Sequence, residues 1–355
     1  MTVYVLAFVT ALFVTYVLTP IIKRLAVRVG AMDVPDARKV HHGSIPRLGG
    51  LAIFIGYIVA VVATVSDLSS VMGLIVGSII LIAVGVWDDV KQIGPKTKLL
   101  GQILAAAVLV AFGDKVEFIT NPWGQMIYLD YFSIPLTIFW IVGFTNIVNL
   151  IDGLDGLAAG ISLISCIAIF TVLLQIGQSD LALVTMALAG AACGFLRYNF
   201  NPAKIFMGDT GSMLLGYTMA AVSVIGAVKT AATVSLVVPV IVLGLPILDT
   251  TFAIIRRKIN NRPVFKPDKG HVHHRLLAMG LTQKQAVLLM YAVTTVLGCV
   301  AVIVAKVNIL VGIALVAAIL LACVIVATKL GVIAKDKAVL ALDRQRAQMA
   351  GKDNK

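Results

Sequence analysis

Charge is what this 355-residue chain has little of: only 13% of its residues are Asp, Glu, Lys or Arg, while 60% are hydrophobic. Soluble domains carry about 25% charged residues, and a chain this apolar would expose more nonpolar surface than water tolerates. The four cysteines lie singly in apolar runs without Cys-x-x-Cys spacing, so we interpret them as buried hydrophobic residues. The composition excludes a soluble enzyme, a disordered chain and a disulfide scaffold, and it predicts a lipid bilayer as the solvent.

Apolar runs divide the chain into transmembrane helices of about 20 residues or somewhat fewer. We predict an all-α integral membrane protein with about 11 transmembrane helices and a small external hairpin in the loop 114–131. Residues 1–328 form the polytopic membrane domain, and the basic segment 329–355 is expected to form an amphipathic surface helix. The predicted spans cover about residues 3–22, 48–66, 71–87, 99–113, 132–150, 157–177, 181–196, 213–228, 231–255, 286–304 and 309–327.

The basic residues predict how these spans are oriented. With Met1 outside, 26 of the 29 Lys and Arg residues fall in cytosolic segments, and Lys115, Lys229 and Lys306 fall outside. This positive-inside bias places the N terminus outside and the C terminus in the cytosol. The same topology puts 12 of the 17 acidic residues and all five histidines at the cytosolic face. The net charge of +12 favours anionic headgroups or phosphorylated substrates as partners over nucleic acid.

Asp88 and Asp89 are adjacent carboxylates where the third span ends, followed by Lys91, Lys96 and Lys98. Neighbouring carboxylates repel each other unless they share a cation or a proton. At this point two interpretations remain open: the pair is functional, or it is a solvated charge pair at a helix end that the lysines balance.

The segment Asn149-Leu-Ile-Asp-Gly-Leu-Asp-Gly156 ends the fifth span. Its glycines free backbone amides to approach a phosphate, while Asp152 and Asp155 can hold a divalent metal. A tight turn between two spans is the simpler alternative. A calcium loop is excluded because the acidic residue required at its twelfth position is missing.

The segment Arg197 to Ser212 contains Asp209 between two glycines, immediately before a new span. There the carboxylate lies beside free amides and the positive end of a helix dipole. It could also be a simple helix cap. Its neighbours Asn199 and Phe206 are side chains that could hydrogen-bond to and stack on a nucleobase.

The most basic loop carries Lys269-Gly-His-Val-His-His-Arg-Leu276. Without a cysteine or a second ligand group nearby, these histidines favour phosphate or sugar binding over zinc, with a solvated loop as the alternative. Asp249 lies inside the ninth span, and a carboxylate at such depth is a functional candidate by default. The clustering of all these groups at one face suits a Mg²⁺ site that handles diphosphates.

These motifs, in this order, resemble those of the polyprenyl-phosphate N-acetylhexosamine-1-phosphate transferases, over nearly the whole chain. They are Asp36 to His42, Pro46 to Gly50, Trp87-Asp-Asp89, Asn149 to Gly156, Phe206 to Gly211 and His271 to His274. The resemblance implies transfer of GlcNAc-1-phosphate from UDP-GlcNAc to undecaprenyl phosphate with release of UMP, as the first membrane step of a surface glycopolymer of teichoic acid or O-antigen type. It also implies a bacterial cytoplasmic membrane protein whose active site faces the cytosol, with a homodimer as an open alternative to a monomer.

The resemblance implies a role for each motif residue. The catalytic residues would be Asp88, Asp89, Asp152 and Asp209, of which the aspartate pair positions the lipid phosphate. A phosphate monoester with a second pKa near 6 hardly needs a base. Mg²⁺, or alternatively Mn²⁺, would be bound by Asp209, Asp152 and Asp155. The nucleotide would contact Asn149, Asn199, Phe206 and Asp152; the sugar and its phosphate would contact His271, His273, His274 and Arg275; the lipid phosphate would contact Lys91, Lys98 and Arg47.

Four points remain open on the sequence. Another UDP-N-acetylhexosamine could be the donor, although Val272 interrupts the three successive histidines of the branch that uses UDP-MurNAc-pentapeptide. The third member of the aspartate-pair motif is Gln92 or Lys91, depending on alignment. A secondary transporter would also have many spans with embedded carboxylates, but it would place them near the midplane and often show repeated halves. A membrane scaffold would leave the aspartate and histidine clusters unexplained.

Overall fold

The computed structural model describes residues 1–34, 43–121, 125–230, 234–260, 270–307 and 309–329, and these residues are mostly helical. The helices are α1 (Thr2–Arg28), α2 (Gly49–Thr64), α3 (Met72–Lys91), α4 (Pro95–Ala111), α5 (Ser133–Ile151), α6 (Leu157–Gln175), α7 (Ser179–Asn199), α8 (Gly208–Thr230), α9 (Val234–Val242), α10 (Gly244–Ile259), α11 (Val272–Ala278), α12 (Gln283–Val304) and α13 (Ile309–Lys329).

Helix α8 is the centre of the bundle. It packs against α2, α3, α5 and α9, and nearly all residues of its apolar, membrane-spanning part are buried inside the protein. Its sequence is rich in Gly, Ala, Ser and Thr. These small residues let neighbouring backbones approach closely, and such packing holds helices together in lipid, where no hydrophobic driving force acts between them. The elements around α8 are therefore held at short distances from its N terminus.

Helices α1 and α7 show the same close packing. Gly190 and Gly194, four residues apart on α7, face the backbone of α1 at Phe8 and Leu12. A Cβ atom at either glycine would overlap a carbonyl group of α1. Large apolar side chains on the opposite side of α1, such as Phe13 and Ile21, are exposed, as lipid-facing residues would be.

Seven of the described helices are long and apolar enough to cross a membrane, or eight if the bent pair α9–α10 is one span. The two helices of this pair meet at 73°. The bend follows from Pro246, which has no N–H group to donate to a carbonyl four residues earlier. The single span predicted over 231–255 is thus a broken one.

Within the described residues, two small antiparallel sheets accompany the helices. Strand β1 (Met32–Asp33) pairs with β2 (Ile45–Pro46), and Arg47 bridges to Phe206. Strand β3 (Phe118–Thr120) pairs with β4 (Met126–Tyr128), which confirms a hairpin in the loop 114–131. The first sheet matters for function because it joins the end of α1 to the segment that precedes α8.

The all-α prediction is confirmed, and each of the 11 predicted spans contains a helix, with α9 and α10 sharing one. That all of them cross the membrane, and in which direction, stays a prediction. The tail helix predicted within 329–355 lies almost wholly outside the described residues, as do His41 and His42.

We predict that Gly190→Ala destabilises the protein in detergent by about 1–3 kcal/mol, because the new methyl group overlaps the α1 backbone. The matched control is Gly143→Ala on α5, where a Cβ atom meets nothing within 4 Å and alanine is the better helix former. Thermal unfolding of the two variants should show a lowered midpoint for Gly190→Ala alone. Equal midpoints would contradict the close α1–α7 contact.

Candidate active site

One end of the bundle contains a cavity of ≈ 330 Å³ among helix ends and turns. It is formed where α3 and α5 end, where α8 begins, and where α11 and the start of α12 approach them. The lining residues are Asp33, Arg47, Asp89, Asn149, Asp152, Gly153, Leu154, Asp155, Phe206, Gly208, Asp209, His274 and Gln283. Five of the six motifs that the sequence singled out therefore meet at one place.

Asp89 accepts hydrogen bonds from the first backbone N–H groups of α8. One carboxylate oxygen accepts a hydrogen bond from the backbone N–H of Asp209 (3.0 Å), and the other accepts from the N–H of Thr210 (3.2 Å) and from its hydroxyl (2.6 Å). The first amides of a helix have no partner within the helix, and here an acid on a different helix provides it. Gly208 begins α8 with a positive φ of 68°, and a Cβ atom there would overlap the Asp89 carboxylate.

Lys98 joins the two other acids of this group. Its ammonium lies 3.0 Å from an oxygen of Asp88 and 2.7 Å from an oxygen of Asp209. Asp88, Asp89 and Asp209 each bring an oxygen to within 4.8 Å of the others, a spacing that requires positive charge between them. Lys98, at the start of α4, supplies that charge.

Asp152 is the acid in the cavity with the fewest partners. It follows the last residue of α5, and among the described residues no side chain or amide donates a hydrogen bond to its carboxylate. Burial is the largest cause that raises the pKa of Asp152, and together with the negative charges of Asp209, Asp89, Asp155 and Asp33 it brings this pKa to about 8. This carboxylate is thus an acceptor held among other acids, and a cation would stabilise its ionised form.

Asp155 and Asn199 hold the turn after α5 against the segment before α8. Asp155 accepts hydrogen bonds from the side chain of Asn201 (3.0 Å) and from the N–H of Ala203 (2.9 Å). Asn199 accepts from the N–H of Gly156 and donates to the carbonyl of Ile205. Asn199 is buried and does not line the cavity, so the structure does not bring this predicted nucleotide contact to the site.

Arg47 and Phe206 form another wall. The Arg47 guanidinium donates to the backbone carbonyl of Asp89 (3.1 Å) and lies 3.9 Å from Asp33. The N–H of Phe206 donates to the carbonyl of Pro46. Lys91, predicted to contact the lipid phosphate with Arg47 and Lys98, is exposed at the end of α3 and away from the cavity lining.

The histidine segment covers the opposite side. His274 lines the cavity, whereas the buried His273 ring lies where a Cβ atom of Gly153 would come within 2.7 Å of its Nε2. Burial, with His274 as the next cause, lowers the pKa of His273 to about 3, so its ring is neutral at pH 7. His271 has its Nδ1 2.9 Å from Asp249. Neither of these two histidines nor Arg275 lines the cavity.

Two lining residues carried little or no signal in the sequence. Asp33 stood out only as one of many acids at the predicted cytosolic face. Gln283, the first residue of α12, accepts a hydrogen bond from Asn201 (2.7 Å), and an isolated glutamine after a turn gives no indication of such a contact. Both reach the cavity through tertiary packing of distant segments.

The donor set fits a hard divalent cation. Mg²⁺ prefers oxygen ligands, usually one or two carboxylates completed by water and substrate phosphates. Both Asp89 oxygens already accept hydrogen bonds, whereas Asp152 and the second oxygen of Asp209 have no donor among the described residues. Asp209 and Asp152 are therefore the residues that would hold the ion. Asp88 lies nearby, because Lys98 pairs with both Asp88 and Asp209.

Comparison with known proteins gives a consistent picture. The family described as glycosyl transferase family 4 matches residues 71–227. The chain is 44% identical over 291 residues to a probable undecaprenyl-phosphate N-acetylglucosaminyl 1-phosphate transferase of Bacillus subtilis, with 81% of each chain covered. It is 39% identical to a decaprenyl-phosphate N-acetylglucosaminephosphotransferase of Mycobacterium tuberculosis, covering 79% of this chain and 78% of the relative. An undecaprenyl-phosphate alpha-N-acetylglucosaminyl 1-phosphate transferase of Yersinia pestis is 28% identical, with 79% of each chain covered.

We predict that Asp89→Asn destabilises the protein by about 1–3 kcal/mol, because the amide group keeps one acceptor and turns N–H groups toward the Thr210 donors. Asp130→Asn is the control, since Asp130 is exposed and its φ of 41° suits asparagine. Thermal unfolding in detergent measures the difference. An Asp89→Asn midpoint equal to that of the control would show that this carboxylate does not hold α8.

Proposed function

Because the chain belongs to glycosyl transferase family 4, we propose that it transfers GlcNAc-1-phosphate from UDP-GlcNAc to undecaprenyl phosphate, forming undecaprenyl-diphosphate-GlcNAc and UMP. An oxygen of the lipid phosphate attacks the phosphorus that bears the sugar, a new P–O–P bond forms, and the P–O bond to UMP breaks. UMP leaves with that bond's electron pair. The names of the three relatives support both the acceptor class and the transferred group.

The observation that supports this proposal most strongly is that carboxylates and cationic or basic side chains line one cavity. Asp152 and Asp209 present carboxylates on one side, and Arg47 and His274 lie around the same space. The diphosphate of a nucleotide-sugar, with one ionised oxygen on each phosphorus, would place its negative charge against a cation on the acids and against Arg47. When bound, Mg²⁺ would neutralise phosphate oxygens and so stabilise charge in the transition state.

The chain's own residues position the acceptor phosphate. Lys98 and Arg47 are the cations nearest Asp88 and Asp89, so an incoming phosphate monoester finds positive charge there. Both Asp89 oxygens accept hydrogen bonds from α8, which leaves this residue poorly placed to remove a proton. Since the lipid phosphate is largely ionised at pH 7, positioning is enough.

The donor occupies the other part of the cavity. Phe206 offers a ring for the uracil base, and Asn149, whose amide donates to Ser212 (2.8 Å), lines the same cavity as Asp152. His274 is the histidine that reaches the sugar or its phosphate. GlcNAc is favoured over UDP-MurNAc-pentapeptide because Val272 interrupts the histidine run.

The topology is part of the proposal. We infer that the cavity faces the cytosol of a bacterial cytoplasmic membrane, with 11 spans and the N terminus outside, on the strength of the positive-inside bias. Asp249, which could suggest a transporter with a broken helix, has both carboxylate oxygens engaged by His271 and Val272 and leaves no oxygen for a coupling ion. The glycopolymer pathway and a homodimer stay predictions.

The direct experiment follows UMP release from purified protein with undecaprenyl phosphate, Mg²⁺ and one of three donors: UDP-GlcNAc, UDP-GalNAc or UDP-MurNAc-pentapeptide. We expect release with UDP-GlcNAc that requires the lipid and that EDTA abolishes. Release without lipid, or with EDTA present, would contradict the proposal. If folded protein released no UMP with any donor, a secondary transporter would become the favoured hypothesis.

We predict that Asp209→Asn and Asp152→Asn each lower the rate of UMP release by at least about 10²-fold, because each removes charge from the side of the cavity that holds the cation. Asp130→Asn is the matched control and should retain the wild-type rate. Thermal unfolding shows that the variants are folded. Near-normal turnover of Asp209→Asn would refute its assignment as a metal ligand.

For His274→Ala we expect weaker use of UDP-GlcNAc, seen as a KM for the donor raised by about tenfold, the size of one lost charged or polar contact. The KM for undecaprenyl phosphate should change little, since His274 faces the donor side. An unchanged donor KM and an unchanged preference among the three UDP-sugars would contradict the assignment.

A further inference from the structure

Asp249 is a buried carboxylate that the proposed reaction does not use. It lies on the second turn of α10, immediately after the bend from α9, and only 3% of its surface is exposed. An acid at such a position is costly unless its oxygens are engaged. It does not line the cavity, so direct contact with substrate does not account for it.

Both oxygens of Asp249 are directed at the histidine segment. One accepts a hydrogen bond from the backbone N–H of Val272 (2.8 Å), and the other lies 2.9 Å from Nδ1 of His271. Helix α11 begins at Val272, and its N-cap residue, His271, makes no side-chain capping bond. Asp249 therefore satisfies the start of α11 from another helix, as Asp89 does for α8.

This contact decides where the rest of α11 lies. One turn of the helix carries the chain from the Asp249 contact to His273, which packs on Gly153, and to His274, which lines the cavity. Arg256, also on α10 and also buried, lies against Gly270. Helix α10 thus holds both sides of the segment that brings His274 next to the Asp152–Gly153 turn.

The carboxylate also fixes the His271 ring. An acceptor at 2.9 Å from Nδ1 requires a proton on that nitrogen, which in a neutral imidazole leaves Nε2 without one. The His271 and His273 rings are stacked 5.8 Å apart with an interplanar angle of 7°. The His273 and His274 rings are 4.3 Å apart, so a continuous row of rings leads from the Asp249 contact to His274.

We propose that Asp249 is a positioning residue for donor binding: from the bent span it caps α11 and orients His271, so that His274 faces the nucleotide-sugar. This inference rests on the proposed function. In this view, the bend between α9 and α10 places the Asp249 carboxylate next to the histidine segment.

The test is Asp249→Asn, which keeps an acceptor for the Val272 N–H but offers an N–H group to Nδ1 of His271. We expect the KM for UDP-GlcNAc to rise by about tenfold, the size of one lost polar contact, while the KM for undecaprenyl phosphate stays within about twofold of wild type. Thr251→Val is the control, because its exposed hydroxyl bonds only within α10, to Ile247. Equal effects on both substrates, or none, would overturn the proposal.

A double-mutant cycle separates positioning from general structural damage. If Asp249 acts through His274, Asp249→Asn should add little to the donor KM of His274→Ala, giving a coupling energy close to the smaller single effect. Additive effects would contradict the proposal. If Asp249→Asn does not fold, His271→Gln leaves the Val272 cap intact and should raise the donor KM alone; an unchanged donor KM would then overturn it.

Ring-¹⁵N histidine spectra of the full-length protein test the same inference without turnover. One histidine with its proton on Nδ1 should change its tautomer in Asp249→Asn and keep it in Thr251→Val. An unchanged spectrum would refute the role of Asp249 even in an active enzyme. Conversely, the expected spectral change in a protein that releases no UMP would show that the proposed function, and not the Asp249 contact, is wrong.

Discussion

The N terminus of α8 is the constraint on which the rest of the site depends. This helix begins beside the cavity, Thr210 in its first turn is buried, and an unsatisfied buried N–H costs about 1–3 kcal/mol. Asp89 satisfies two of the first amides of α8 from the end of α3. The contact requires α3 and α8 to approach closely, and a Cβ atom at Gly85 of α3 would come within 2.5 Å of Thr210. Once Asp89 is fixed, Asp88 and Asp209 lie near it, and Lys98 must balance them.

In the part of the chain that the structure describes, a carboxylate holds another element in this way at three places. Asp89 holds α8, Asp155 holds the segment after α7 through Ala203, and Asp249 holds α11 through Val272. Each carboxylate accepts a hydrogen bond from a backbone amide of another element. The acids thus fall into two groups: those that fix the framework, and Asp152 and Asp209, whose remaining oxygens face the cavity and are available to a cation.

Much of this arrangement could be predicted from the sequence, and the remainder has physical reasons. Apolar runs predicted the helices because bilayer thickness sets their length, and the motifs at their ends predicted that the acids would meet. The sequence did not distinguish Asp89, a cap, from Asp152, an open acceptor, because residue type specifies hydrogen-bonding capacity but not the partner. Asn199 was expected at the nucleotide and instead joins two turns. Gln283 was missed because only tertiary packing brings it to the cavity.

Divalent-cation binding tests this division of the acids most directly. Mn²⁺, which gives an electron paramagnetic resonance signal and suits the same oxygen ligands, would be titrated into the wild-type protein and into single Asp→Asn variants without substrate. The account predicts one bound ion per chain, an affinity lowered by about tenfold or more in Asp152→Asn and Asp209→Asn, and no change in Asp249→Asn. Wild-type affinity in Asp152→Asn, or a loss in Asp249→Asn equal to that in Asp209→Asn, would contradict it.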